Sequence, residues 1–106
     1  MITDTEIREQ GYAYFLAEAP ELLQAIEQDL FSFLEDHSTK KVHNLMRATH
    51  TIKGGAATVG LDTIKMIAHS LEDIFKALYN PDVVIDTELQ TLLLEAYECL
   101  QLAVTA

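Results

Sequence analysis

One cysteine, two prolines and four glycines are all that this 106-residue chain holds of the residues that staple, break or bend a backbone. The single cysteine, Cys99, excludes a disulfide framework and makes a reducing compartment the default. It lies in an apolar run and reads as a small buried hydrophobe rather than a reactive thiol. Cations are also scarce: seven Lys and Arg stand against 17 Asp and Glu, for a formal net charge of −10. Nucleic acid calls for clustered Lys and Arg, and an anionic membrane surface repels such a chain. Both are set aside as partners, in favour of surfaces with basic rims or bound cations. No apolar run approaches the ~20 residues of a membrane span. The N-terminus lacks the basic stretch and apolar run of a signal peptide. The apolar share is 49%, enough for one core, so disorder is not expected despite the charge. The expectation is one cytoplasmic domain over residues 1–106.

Period-two alternation bounded by turn signals is missing as well. Apolar residues recur instead at helical spacing in four segments, near residues 5–34, 40–59, 63–78 and 87–103. In the first, Phe15, Leu22, Leu23, Ile26, Leu30, Phe33 and Leu34 share a stripe. Pro20 interrupts it, which predicts a helix split or kinked there. Asp36-His37-Ser38-Thr39 supplies a turn with capping residues. The second stripe is Val42, Leu45, Met46, Thr49, Ile52, Ala56 and Val59, with Gly60 placed to terminate it. Asp62 is expected to cap the third helix, whose stripe is Ile64, Ile67, Ala68, Leu71, Ile74, Phe75 and Leu78. After Asn80-Pro81-Asp82, either Asp86 or Thr87 caps a fourth helix, Thr87 and Gln90 having capping-box spacing. Leu89, Leu92, Leu93, Ala96, Leu100 and Ala103 face inward there. Short connections between amphipathic helices favour an all-α, antiparallel up-down-up-down four-helix bundle. No exposed apolar stripe is evident, so a monomer is expected.

One stretch does not fit a purely structural helix: His50-Thr51-Ile52-Lys53-Gly54-Gly55-Ala56. Two adjacent glycines cost a helix roughly 1 kcal/mol each relative to alanine. His50 lies off the inner stripe, so its imidazole should be wet. Its same-face neighbours are Arg47, Lys53, Gly54 and Ala57. Two cations thus flank the ring on one side, and near-empty side chains leave room on the other. That suits a nucleophilic imidazole receiving a bulky anionic group, with Lys53 for charge and Gly54 for access. On the third helix Lys65, His69, Glu72 and Lys76 share a face. His50 lies ten residues before Gly60 and Glu72 twelve after it, which puts them at similar heights on antiparallel neighbours. A carboxylate there can accept the His50 Nδ1–H and leave Nε2 as the nucleophile. Arg47 equally reads as a solvated charge, and Gly55, turned away from the His50 face, as a close-packing residue. His37 and His43 read as surface. The residues alone leave two other classes open: a metal-binding bundle using His50, His69 and Glu72, or a helical interaction domain without chemistry.

The stretch from His50 to Ala56, continued by Gly60-Leu61, resembles the histidine phosphotransfer (HPt) domain. The closer similarity is to the N-terminal phosphoacceptor domain of the chemotaxis histidine kinase CheA. Glu18-Ala19-Pro20-Glu21-Leu22-Leu23, Arg47-Ala48 and Ala68-His69-Ser70-Leu71-Glu72-Asp73 extend the match over roughly residues 12–102. The resemblance implies that His50 accepts a phosphoryl group on Nε2 and passes it to an aspartate of a CheY-like response-regulator receiver domain. Lys53 would stabilise phosphoryl oxygens, Glu72 would bond Nδ1, His69 would join the surrounding polar network, and Gly54 would admit the partner. ATP and Mg would be bound by a separate kinase domain, with no cofactor in this one and no kinase activity of its own. The family's fifth helix has no counterpart here, and the chain is read as the N-terminal domain of a longer kinase, with a free-standing HPt protein as the alternative.

Overall fold

In a computed structural model describing residues 1–106, four helices account for nearly all of the chain: α1 (Asp4–Glu35), α2 (Thr39–Thr58), α3 (Asp62–Ala77) and α4 (Thr87–Thr105). Each packs on its chain neighbours and α4 closes back on α1, which makes an up-down-up-down bundle. Seventeen apolar side chains form one core, with Phe33, Phe75, Ile26, Leu30 and Leu45 among its largest fully buried members.

The caps explain most boundaries. Thr3 accepts the Glu6 N–H at 3.1 Å, Ser38 that of Lys41 at 3.3 Å and Asp86 that of Leu89 at 2.9 Å, each satisfying a donor that the first helical turn orphans. Asp86 rather than Thr87 thus caps α4, and the Thr87–Gln90 spacing is not used as a box. Asp62 is likewise no cap: it is the first helical residue of α3, and Leu61 precedes it without a side-chain bond. Its charge still favours the positive end of the helix dipole. Pro20 sits inside an unbroken α1, so the split expected there does not occur. Pro20 and Leu16, whose carbonyl the proline leaves without its usual donor, are both exposed, and water can serve that carbonyl.

Two side chains of α4 differ from expectation. Leu92 is 53% exposed and Cys99 is exposed. The inner line runs Leu93, Tyr97, Leu100. Leu92 and Cys99 each sit one residue, about 100° of helix, off that line. Tyr97 takes the core position instead, its hydroxyl donating to the Leu23 carbonyl at 3.0 Å and lying 3.3 Å from Glu27 Oε2.

The α2–α3 corner fixes the register of the site. Gly60 has φ 78°, a left-handed conformation that glycine adopts without strain. The Gly60 N–H meets the Ala57 carbonyl at 3.3 Å and the Leu61 N–H meets that of Ala56 at 2.9 Å, the paired bonds of a Schellman C-terminus. The chain reverses there, and α3 runs back along α2.

Candidate functional site

That reversal brings His50 of α2 and Glu72 of α3 together. His50 Nδ1 lies 2.8 Å from Glu72 Oε2, and Lys53 Nζ donates to Glu72 Oε1, also at 2.8 Å. One carboxylate therefore uses both oxygens, one on the imidazole and one on the ammonium. The exposures grade across the cluster: the side chain is 68% exposed for His50, 20% for Lys53 and 15% for Glu72.

Burial pushes the Glu72 pKa up, but hydrogen bonds from Lys53 and His50, with the charges behind them, outweigh it and hold the carboxyl below its usual range. An ionised carboxylate is acceptor-only, so the Nδ1 in contact with it carries the proton. In the neutral ring Nε2 then keeps its lone pair. The imidazole geometry turns Nε2 away from Glu72, towards solvent.

Thr49, one residue before His50, anchors the opposite side of the helix. It is fully buried, with its hydroxyl donating to the Leu45 carbonyl at 2.7 Å. Ile52 and Ala56 are also fully buried. With these in the core, helical geometry leaves His50 facing out.

The two glycines separate cleanly. A Cβ on Gly54 would meet nothing within 4 Å, whereas one on Gly55 would lie 3.0 Å from Phe15 Cδ2. Gly54 thus keeps a turn of surface bare beside His50, and Gly55 admits an α1 ring against the α2 backbone.

Two open clefts flank the cluster. His50 shares one with His43, Met46, Arg47, Thr51 and Glu72. Lys53 and Gly54 line the other with Lys65, Met66 and His69. His69 therefore stands on the far side of Lys53, its Nε2 3.6 Å from Asp73 Oδ2, and makes no bond to His50 or Glu72. The metal alternative required His50, His69 and Glu72 to converge, and no group of three or more His, Cys, Asp or Glu side chains gathers in that way. His37 tilts against the Phe33 ring, centroids 5.2 Å apart. His43 lies 3.5 Å from the Tyr79 hydroxyl. His43 also lines His50's cleft, a place the sequence reading missed although its position two turns before the histidine, at i−7, carried the signal.

The charges are unevenly placed. α2 carries Lys40, Lys41, Arg47 and Lys53 and no Asp or Glu, in a chain of net charge −10. α1 carries eight acids and one cation, and α4 three acids and no cation. The helix presenting His50 is the cationic element of an acidic molecule.

A family model described as the Hpt domain matches residues 10–103. The chain belongs to the Hpt domain family. Several chemotaxis proteins CheA are similar to this Hpt domain. That of Klebsiella aerogenes is 33% identical over 91 residues, covering 85% of this chain and 14% of that protein. That of Bacillus subtilis is 32% identical over 88 residues, covering 82% and 13%. The chain thus spans about a seventh of the length of these curated relatives. Among solved structures, the phosphorylated P1 domain of CheA3 in complex with CheY6 from R. sphaeroides matches with a TM-score of 0.76 at 27% identity, covering 91% of this chain and 76% of that one. The Hpt fold accordingly extends over almost all of the sequence.

Proposed function

We propose that residues 1–106 form one histidine phosphotransfer unit, working in the cytoplasm as the N-terminal part of a CheA-like chemotaxis kinase. His50 accepts a phosphoryl group from ATP held with Mg²⁺ by a separate kinase domain, then passes it to an aspartate of a response-regulator receiver domain. The observation that carries this reading is an exposed imidazole whose Nδ1 is held 2.8 Å from an ionised Glu72.

The geometry supports the chemistry in steps. The Nε2 lone pair attacks the γ-phosphorus, the bond to the ADP oxygen breaks, and ADP leaves with that electron pair. The ring now carries both the Nδ1 proton and the new N–P bond. Its positive charge faces Glu72, which is ionised before the step and needs no reorganisation. In the second transfer a partner carboxylate oxygen attacks phosphorus in line, the N–P bond breaks, and its electrons return to Nε2. Gly54 leaves space for the approaching domain, and the cations of α2 suit a partner whose phosphoryl-accepting pocket is acidic.

Incubation with a cognate kinase domain and labelled ATP tests the reading. The expected result is acid-labile, base-stable label on the wild type and none on His50→Gln. Undiminished label on His50→Gln removes His50 as the acceptor.

A further inference from the structure

Two cations flank His50 in the sequence, and the fold employs them differently. Lys53 is committed. Its Nζ lies 2.8 Å from Glu72 Oε1, its side chain is only 20% exposed, and it lines the cleft on the His69 side. To reach a phosphoryl group on Nε2 it would have to leave a mostly buried carboxylate with one partner fewer. Arg47 has no such commitment. It sits one turn before His50, is exposed, and lines the cleft that contains the His50 ring. Its guanidinium belongs to none of the four ion pairs, and its only side-chain-related bond is the one its backbone carbonyl accepts from Thr51. No carboxylate on α2 competes for it, and the one acid lining that cleft, Glu72, already has both oxygens engaged.

We propose that Arg47 is the phosphoryl-binding cation of this site and that Lys53 is a positioning residue acting through Glu72. This rests on the reading of His50 as the phosphoacceptor. A phosphoryl group on Nε2 offers three oxygens to the open cleft. The planar guanidinium donates two parallel N–H bonds to such a group, where an ammonium acts as a point charge. Lys53 meanwhile keeps Glu72 ionised and oriented, so that Nδ1 stays protonated and Nε2 stays nucleophilic. The two cations divide the work: one prepares the ring, the other holds the product.

A small phosphoramidate donor tests this without any partner domain. Nε2 attacks its phosphorus, the donor's P–N bond breaks, and ammonia leaves. The phosphoryl resonance of the 106-residue chain is then followed against pH by phosphorus NMR. In Arg47→Ala the phosphoryl pKa should rise, because the cation favouring its dianion is gone. Transfer to a receiver domain should slow roughly threefold to tenfold, the size of one charge-assisted contact at an exposed site. Arg47→Lys should restore part of both. Lys40→Ala, which removes an equal charge that does not line the cleft, should leave the phosphoryl pKa at its wild-type value. Lys53→Ala should slow phosphorylation and move the Nδ1 proton signal while leaving the phosphoryl pKa in place. A wild-type phosphoryl pKa in Arg47→Ala, or a raised one in Lys53→Ala alone, overturns the assignment while leaving His50 as acceptor. A wild type that takes no phosphoryl at all overturns the reading of His50 and this proposal with it.

Discussion

Two polar clusters in this bundle make opposite use of a carboxylate. Between α1 and α4, Tyr97 is 4% exposed and lies beside Glu27 and the Leu23 carbonyl. Burial first, then the charge of Glu27 and the hydrogen bond to it, push the phenol up to about 12. Across α2 and α3, Glu72 faces a cation and an imidazole, and its pKa falls. The first cluster is closed, and its carboxylate keeps a proton on its neighbour. The second opens onto solvent, and its carboxylate stays ionised to direct a proton on His50. A hydrogen bond that only joins helices can be sealed in; one that prepares a nucleophile, the role proposed for His50, must leave the reactive atom outside.

The same division runs through α2 itself. On its α1 side, Gly55 lies under Phe15 and Gly11 lies under Val59, with added Cβ atoms at 3.0 and 3.2 Å. Each helix offers a glycine to a side chain of the other, and the pairs are one turn apart on both helices. On the outer side Gly54 faces nothing. Leucine at the two adjacent positions should break this symmetry most. Gly55→Leu is expected to destabilise the bundle by about 1–3 kcal/mol, the cost of overpacking a filled seam. Gly54→Leu should leave the urea midpoint near wild type or above it, yet slow transfer to a receiver domain. Equal midpoints for the two variants would erase the distinction between the seam and the open face.

Tyr97→Phe probes the closed cluster at a smaller scale. Losing the hydroxyl removes a buried hydrogen bond and should cost about 1 kcal/mol in denaturant unfolding, with phosphorylation of His50 unaffected. The wild type also carries a pH signature that the variant lacks. Its phenol holds a proton more tightly folded than unfolded, where the ordinary value is about 10. Its contribution is therefore complete below about pH 10 and lost as pH rises through about 12. Ultraviolet titration of tyrosine ionisation, read alongside stability, checks both. A Tyr97 that ionises with the exposed tyrosines would place its hydroxyl in water.

How much of this was legible beforehand follows from what each signal depends on. The four helices and most of their inner stripes were readable because burial follows helical phase, which any run of apolar residues records; the break expected at Pro20 and the fully buried Ala19 of α1 were the misses there. Leu92 and Cys99 were misplaced on α4 because that helix is apolar nearly all round. Phase is ambiguous there, and Tyr97 wins the core position only through a partner 70 residues or more away in sequence. Glu72 could be matched to His50 by counting from Gly60, since rise per residue is fixed. What counting does not supply is side-chain direction. Lys53 and His69 were both grouped around His50. The structure gives Lys53 to Glu72 and turns His69 towards Asp73, because residues a turn apart on α3 face different clefts. Asp62 failed as a cap for a similar reason: the Schellman turn consumes Gly60 and Leu61 and starts α3 one residue early.

Alanine at position 54 should raise stability, by about 0.5–1 kcal/mol, since it removes glycine's backbone entropy from a helix interior and meets no atom. The same change at position 55 gains that entropy but sets a methyl 3.0 Å from a Phe15 ring that is 5% exposed, so its midpoint should fall below that of Gly54→Ala.

The smallest effect expected is the pH dependence of the open cluster. Glu72 is ionised more readily folded than unfolded, so its contribution is complete above the ordinary carboxylate range, about 4.3, and fades as pH falls through and below it. Comparing wild type with Glu72→Gln, the stability gap should be constant from pH 6 to 8 and close in acid. Tyr97 responds at the alkaline end and Glu72 at the acid end because their neighbours differ in sign, an anion beside the phenol and a cation beside the carboxyl. A gap that instead widened in acid would mean that burial, the force opposing Lys53 and His50, governs Glu72. The carboxylate would then be too weakly ionised to direct the Nδ1 proton, and the preparation of His50 would have to come from elsewhere.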